Sequence, residues 1–210
     1  MSYFTIGSLT IPAIWLAVLL TLFITSLLYR FVSGRKLDDW YWNGFFLYFL
    51  VWKLSYILFH FDMFLDIPLS IAYFNGGIKG HFLALVSLSI YLFYISEKKR
   101  QPIHREATML FLLFFIGFET IHYALETNVP AVLLNLLLLI GYVVLLKGNK
   151  QSFSTQLFFF IFLLELFIIS FFQSILSIEI LTFSWLAVIA YTLSIRGRSN
   201  YNSLGGEERE

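Results

Sequence analysis

Gly76-Gly77-Ile78-Lys79-Gly80-His81 is the stretch on which the reading of this chain turns. Three glycines loosen the backbone, a histidine follows, and from Phe82 to Ser96 there is no charged residue. A glycine-rich polar turn opening straight into an uncharged run that long reads as the mouth of a membrane-spanning helix. Backbone groups in hydrocarbon have no water to bind, so the run has to be helical.

The same pattern extends in both directions. Apolar spans are expected at 10–32, 41–62, 78–95, 106–127, 129–147, 153–174 and 178–196. Hydrophobic residues make up 59% of the 210 residues and charged residues only 13%, against about 25% charged in soluble domains. The fold class is therefore all-α: a polytopic membrane protein with seven transmembrane helices. One membrane domain is expected over 1–198, with a polar, disordered cytoplasmic tail over 199–210. A net charge of +1 gives no reason to expect nucleic acid as a partner. The chain has no cysteine, which excludes disulfides, thiolate catalysis and cysteine-ligated metals. Met1 to Leu9 carry no basic side chain and no small-x-small site follows the first apolar run, so that span is expected to be retained.

Lysine and arginine fall on alternate sides. Arg30, Arg35 and Lys36 follow the first span; Lys98, Lys99, Arg100 and Arg105 follow the third. Lys147 and Lys150 follow the fifth, and Arg196 and Arg198 the seventh. The other loops hold Asp62, Asp66, Glu126 and Glu179, with Lys79 as their only basic residue. The positive-inside rule predicts an N-out, C-in orientation. Between spans two and three, Ile67 to Phe74 is too short to cross and is expected to form a short interfacial helix, with Tyr73 and Phe74 at headgroup depth. Trp40, Tyr41 and Trp42 read as anchors at an inner boundary.

Ionisable groups inside the spans are costly and need an explanation. Lys53, Glu119 and Glu165 lie at similar depths in spans two, four and six, the arrangement of a structural lock or a polar cavity. Glu119, His122 and Glu126, at i, i+3 and i+7, share a helical face toward the outer side, where His60 and His81 also fall. Glu-x-x-His is a di-iron motif when two copies occur. One copy is present, so neither a metal nor another cofactor is expected.

Four stretches carry a resemblance. Phe4-Thr5-Ile6-Gly7-Ser8-Leu9-Thr10-Ile11 is similar to an opening Ile-Gly-Pro-Leu-x-Ile, and Trp52-Lys53-Leu54-Ser55-Tyr56-Ile57-Leu58-Phe59-His60 to Gly-Gly-Arg-Leu-Gly-Tyr-Val-Leu-Phe-Tyr. Pro68-Leu69 through Gly76-Gly77-Ile78-Lys79-Gly80-His81 resembles Asn-Pro, a short helix and Gly-Gly-Met-Ser-Phe-His. Gln156 and Gln173 follow the spacing of the last three spans loosely. These belong to the prolipoprotein diacylglyceryl transferase family, and the resemblance is strongest over residues 4–95. It implies a bacterial cytoplasmic membrane protein that moves a diacylglyceryl group from phosphatidylglycerol to a lipobox cysteine at the outer leaflet. On it, His81 is the candidate base, with Glu119 and His122 in altered catalytic roles, and Lys53, Gly76, Gly77 and Lys79 bind the substrate.

Several family positions differ here. Ile14 stands where the family has a functional tyrosine, and Phe82-Leu83 replaces the two glycines after the histidine. The family's Gly-Arg-Ile-Gly-Asn-Phe-x-x-Gly-Glu falls on Gly117 to Glu126, with Phe118 in place of its arginine, and its late arginine falls near Ile169. Two classes of function follow. One is a diverged lipid or lipoprotein transferase with phospholipid and prolipoprotein as partners. The other is a non-catalytic paralogue that binds lipid or a membrane-protein partner through the same cleft. A proton- or metal-handling carrier built on Lys53, Glu119, Glu165 and the histidines is a third.

Overall fold

The computed structural model describes residues 3–6, 9–98, 103–148 and 155–204, with the backbone alone at 3–6, 9–11, 104–105 and 197–204. The chain is all-α apart from one short N-terminal hairpin. Strands β1 (Tyr3–Ile6) and β2 (Leu9–Pro12) pair antiparallel, Tyr3 opposite Pro12 and Ile6 opposite Leu9. The first span was expected from residue 10, yet α1 runs Ala13–Ser33. Thr5, Ile6, Thr10 and Ile11 are β-branched, and Pro12 fixes its own φ and lacks an N–H, so the helix begins after it.

The chain forms two compact units, Met1–Leu37 with Pro102–Glu210, and Asp38–Gln101. In the first, α1 is joined by α6 (Ile103–Leu125), α7 (Val129–Gly148), α8 (Thr155–Ser170) and α9 (Ile178–Leu204). Helix α6 is its axis and packs on α1, α7, α8 and α9. Of its spanning stretch 67% is buried, against 28% or less in the other candidate spans. Rings of Phe111, Phe115, Phe118, Phe158, Phe162 and Phe183 fill the space around it, with Phe115 and Phe183 centred 4.4 Å apart. The tail expected to be disordered from Ser199 is helical as far as Leu204; residues 205–210 lie outside the described residues.

The second unit is built on α2 (Asp39–Phe59) and α5 (Gly77–Lys98), packed on each other. Between them in sequence lie two short helices, α3 (Phe61–Asp66) and α4 (Ser70–Tyr73); α4 falls within the helix expected over 67–74, and α3 takes up the end of the span expected over 41–62 and the connection after it. His60, at φ −137°, breaks α2 from α3, and Pro68 separates α3 from α4.

Among the described residues six helices are long and apolar enough to cross a membrane: α1, α2, α5, α6, α7 and α9. Helix α8 is apolar but only 16 residues long. At ~1.5 Å per residue it covers about 24 Å of a ~30 Å hydrocarbon core. It stops at Ser170 because turns follow, where Ser174 Oγ accepts from the Leu176 amide and Ser177 Oγ from the Ile180 amide. This is a multi-pass membrane protein.

Candidate functional site

The glycine turn and its histidine belong to the second unit. Gly76 and Gly80, one helical turn apart, are both buried against α2. A Cβ on either would collide with Ser55 Oγ, and the Gly76 amide donates to the Trp52 carbonyl at 3.1 Å. These glycines let two helices close on each other, the small-x-x-x-small device of membrane packing. Gly77 is different: its φ is +59°, nothing would meet a side chain there, and its amide donates to Asn75 Oδ1. That left-handed residue turns the chain into α5.

With the turn seated this way, His81 follows Gly80 into half-buried surroundings. Its Nδ1 is hydrogen-bonded to the Tyr48 hydroxyl at 2.5 Å, and the two rings meet edge to face. Lys53, one residue from Trp52, donates from Nζ to the Ala72 carbonyl at the end of α4. Lys79 is exposed and places Nζ 5.8 Å from the centre of the Phe59 ring. Phe74 stacks on Tyr56, which also meets the ring of His60. One end of the α2–α5 pair thus carries two cations and an oriented imidazole. Beside them, Met63, Leu65, Ile67, Leu69, Tyr73 and Phe74 are all more than half exposed. The residues expected to bind substrate and to act as base (Lys53, Gly76, Gly77, Lys79, His81) share this end. Tyr48 and Ser55, which orient the histidine and seat the glycines, were not singled out from sequence, because their roles depend on which face of α2 meets α5.

Glu119 and His122 belong to the first unit, where they meet a residue read from sequence only as a loop acid. Glu119, His122 and Glu179 each offer a ligand atom, and these atoms lie within 4.8 Å of one another. His122 Nδ1 is 3.3 Å from Glu179 Oε1, and His122 Nε2 is 3.5 Å from Glu126 Oε1. Glu119 is wholly buried, and neither of its carboxyl oxygens has a hydrogen-bond partner among the described residues. Glu165 of α8 is also wholly buried and lies within electrostatic reach of Glu119. Lys53, grouped with these two acids from sequence, belongs to the other unit and makes its bond to Ala72 there.

Local signals explain the cluster's shape. Glu119 and His122 face the same way because three residues is close to one helical turn. Ser177 caps α9 through the Ile180 amide, which fixes Glu179 in the first turn, where an acid is favoured by the helix dipole. Helix α6 ends at Leu125 and is closed by Thr127, φ 60°, where the Asn128 amide reaches back to the Tyr123 carbonyl and the Thr127 amide to Ala124. That left-handed closure holds Glu126 at the end of the same face.

No protein-family model, curated protein or solved structure matches the chain.

Proposed function

We propose that the chain is a diverged diacylglyceryl transferase-like protein of a bacterial cytoplasmic membrane, and that the α3–α4 end of its second unit binds an anionic phospholipid headgroup. The observation that carries this is the pairing, on one small surface, of Lys53, Lys79 and His81 with an arm of exposed apolar side chains. Side chains such as Leu69 and Tyr73 are costly in water and settle at the acyl–headgroup boundary. A phosphate at that depth meets two ammonium groups, which act as point charges where the resembled family uses the forked grip of arginine.

In this reading the chain crosses seven times, N-out and C-in. Arg30, Lys98 and Lys147 close the last turns of α1, α5 and α7 on the cytoplasmic side. Helix α8 completes its crossing with Phe171 and Phe172. The α3–α4 arm then lies at the outer leaflet.

Chemistry at this end rests on His81. The Tyr48 hydroxyl orients the imidazole through Nδ1, and the ring takes the thiol proton. The cysteine sulfur bonds to the glyceryl carbon as the carbon–oxygen bond to phosphate breaks, and glycerol phosphate leaves toward Lys53 and Lys79. The test is expression in cells depleted of their diacylglyceryl transferase. Diacylated prolipoprotein is expected with the wild-type chain and not with His81→Ala. No lipidation from the wild type would remove the transfer step and leave lipid binding to be measured on its own.

A further inference from the structure

The acid–imidazole cluster of the first unit has no part in the lipid reading. We propose that Glu119, His122 and Glu179 bind one divalent transition-metal ion of zinc type, with Glu126 holding the other ring nitrogen of His122. The proposal is independent of the lipid site.

Donor geometry comes first. Bonds of ~2.0–2.1 Å in a tetrahedral site place neighbouring donors about 3.3 Å apart. His122 Nδ1 and Glu179 Oε1 are already 3.3 Å apart. One ligand atom from each of the three residues lies within 4.8 Å of the others, so modest side-chain shifts complete three corners. A water or a substrate atom takes the fourth, as in open zinc sites.

Glu119 has a buried carboxyl group that no described residue satisfies. Its side chain has no exposure, and both oxygens are without a hydrogen-bond partner among the described residues. In a protein interior such a group is retained when something neutralises it. Two carboxylates and a neutral imidazole balance a divalent cation. A metal therefore accounts for the pair of acids and for the orphaned oxygens together.

Metal-bound histidines commonly donate their second ring N–H to a carboxylate, which fixes the tautomer. Glu126 Oε1 stands on that side of His122, at 3.5 Å from Nε2. The donor set is nitrogen and carboxylate oxygen with no sulfur, which suits zinc and its divalent neighbours better than copper(I). Glu165 and Tyr123 are the other titratable groups within electrostatic reach of these acids, so they belong to the site's charge balance.

The test uses the full-length chain in detergent micelles, stripped with EDTA and dialysed against zinc, then against cobalt(II). Wild type is expected to take up about one zinc per chain and, with cobalt, to show the intense visible band of a four-coordinate site. Glu119→Gln with Glu179→Gln is expected to bind at least about tenfold more weakly. Equal uptake by a monodisperse double variant, or no uptake by wild type, overturns the proposal and leaves a shared proton among the acids. If the double variant aggregates, Glu126→Gln is read instead: a loss of about tenfold supports the site, and unchanged affinity overturns it.

Discussion

At the scale of the residue, Glu119 is the side chain that most needs an explanation. A carboxyl group with no exposure and no hydrogen-bond partner among the described residues is a liability to the folded protein. Removing its capacity for charge while keeping its shape should therefore help wherever no cation is bound. In EDTA, Glu119→Gln is expected to melt at or above wild type. In zinc, wild type gains on the variant by the mass-action term, about 2.7 kcal/mol at a hundredfold excess over Kd. Thermal melts in both conditions check this, and a variant that loses stability in EDTA would show that the carboxylate has a protein partner. Sequence spacing alone could place Glu119 and His122 on one face. It could not supply Glu179, which reaches them only because α9 packs on α6 from more than fifty residues away. Helical rise alone also groups Lys53 with Glu119 and Glu165, since it gives only a depth along each helix; Lys53 belongs to the other compact unit.

Elements come together here through two kinds of backbone exception. Gly76 and Gly80 are small because Ser55 occupies the space a side chain would need. Gly80→Val should wedge α5 from α2 and cost about 1–3 kcal/mol, read as loss of folded protein in detergent titration. Gly77→Ala meets no neighbour and strains only the backbone, so it separates the two effects. Thr127 is the opposite exception. A β-branched residue held at φ 60° is strained, so Thr127→Gly is expected to stabilise the chain by about 1 kcal/mol, measured by the same titration. Helix identity was legible because uncharged runs of spanning length allow little else. The N-terminal hairpin was not, because Leu9 to Pro12 is as apolar as the span it leads into and only its β-branching and proline set it apart. The helix expected over 67–74 forms only at Ser70–Tyr73, after Pro68, and α3 forms beyond the His60 break at the end of a span expected to run to residue 62.

At the scale of the whole molecule, orientation organises every functional statement, and the absence of cysteine makes it directly measurable. Any one cysteine introduced is the only thiol in the chain. Asn75→Cys and Asp66→Cys should react with a membrane-impermeant maleimide added to intact cells, whereas Ser33→Cys and Glu97→Cys should react only after lysis. The reverse pattern would invert the chain and place the lipid site in the wrong leaflet. Composition carried the membrane class, whereas alternating charge supplies an expected orientation that this labelling tests. The proposed function rests in the sequence on local resemblance around Gly76–His81 alone, since the two cations and the apolar arm meet only through folding. The most direct test of that meeting is to count the phospholipid that stays with the purified protein, by mass spectrometry after detergent extraction and washing. Wild type is expected to keep about one anionic phospholipid per chain. Lys53→Gln with Lys79→Gln should bind it at least about a hundredfold more weakly and keep correspondingly less, each charge-assisted contact being worth about 1.5–3 kcal/mol. Equal retention by the two proteins, or a wild type that keeps neutral and anionic lipid alike, would contradict the account.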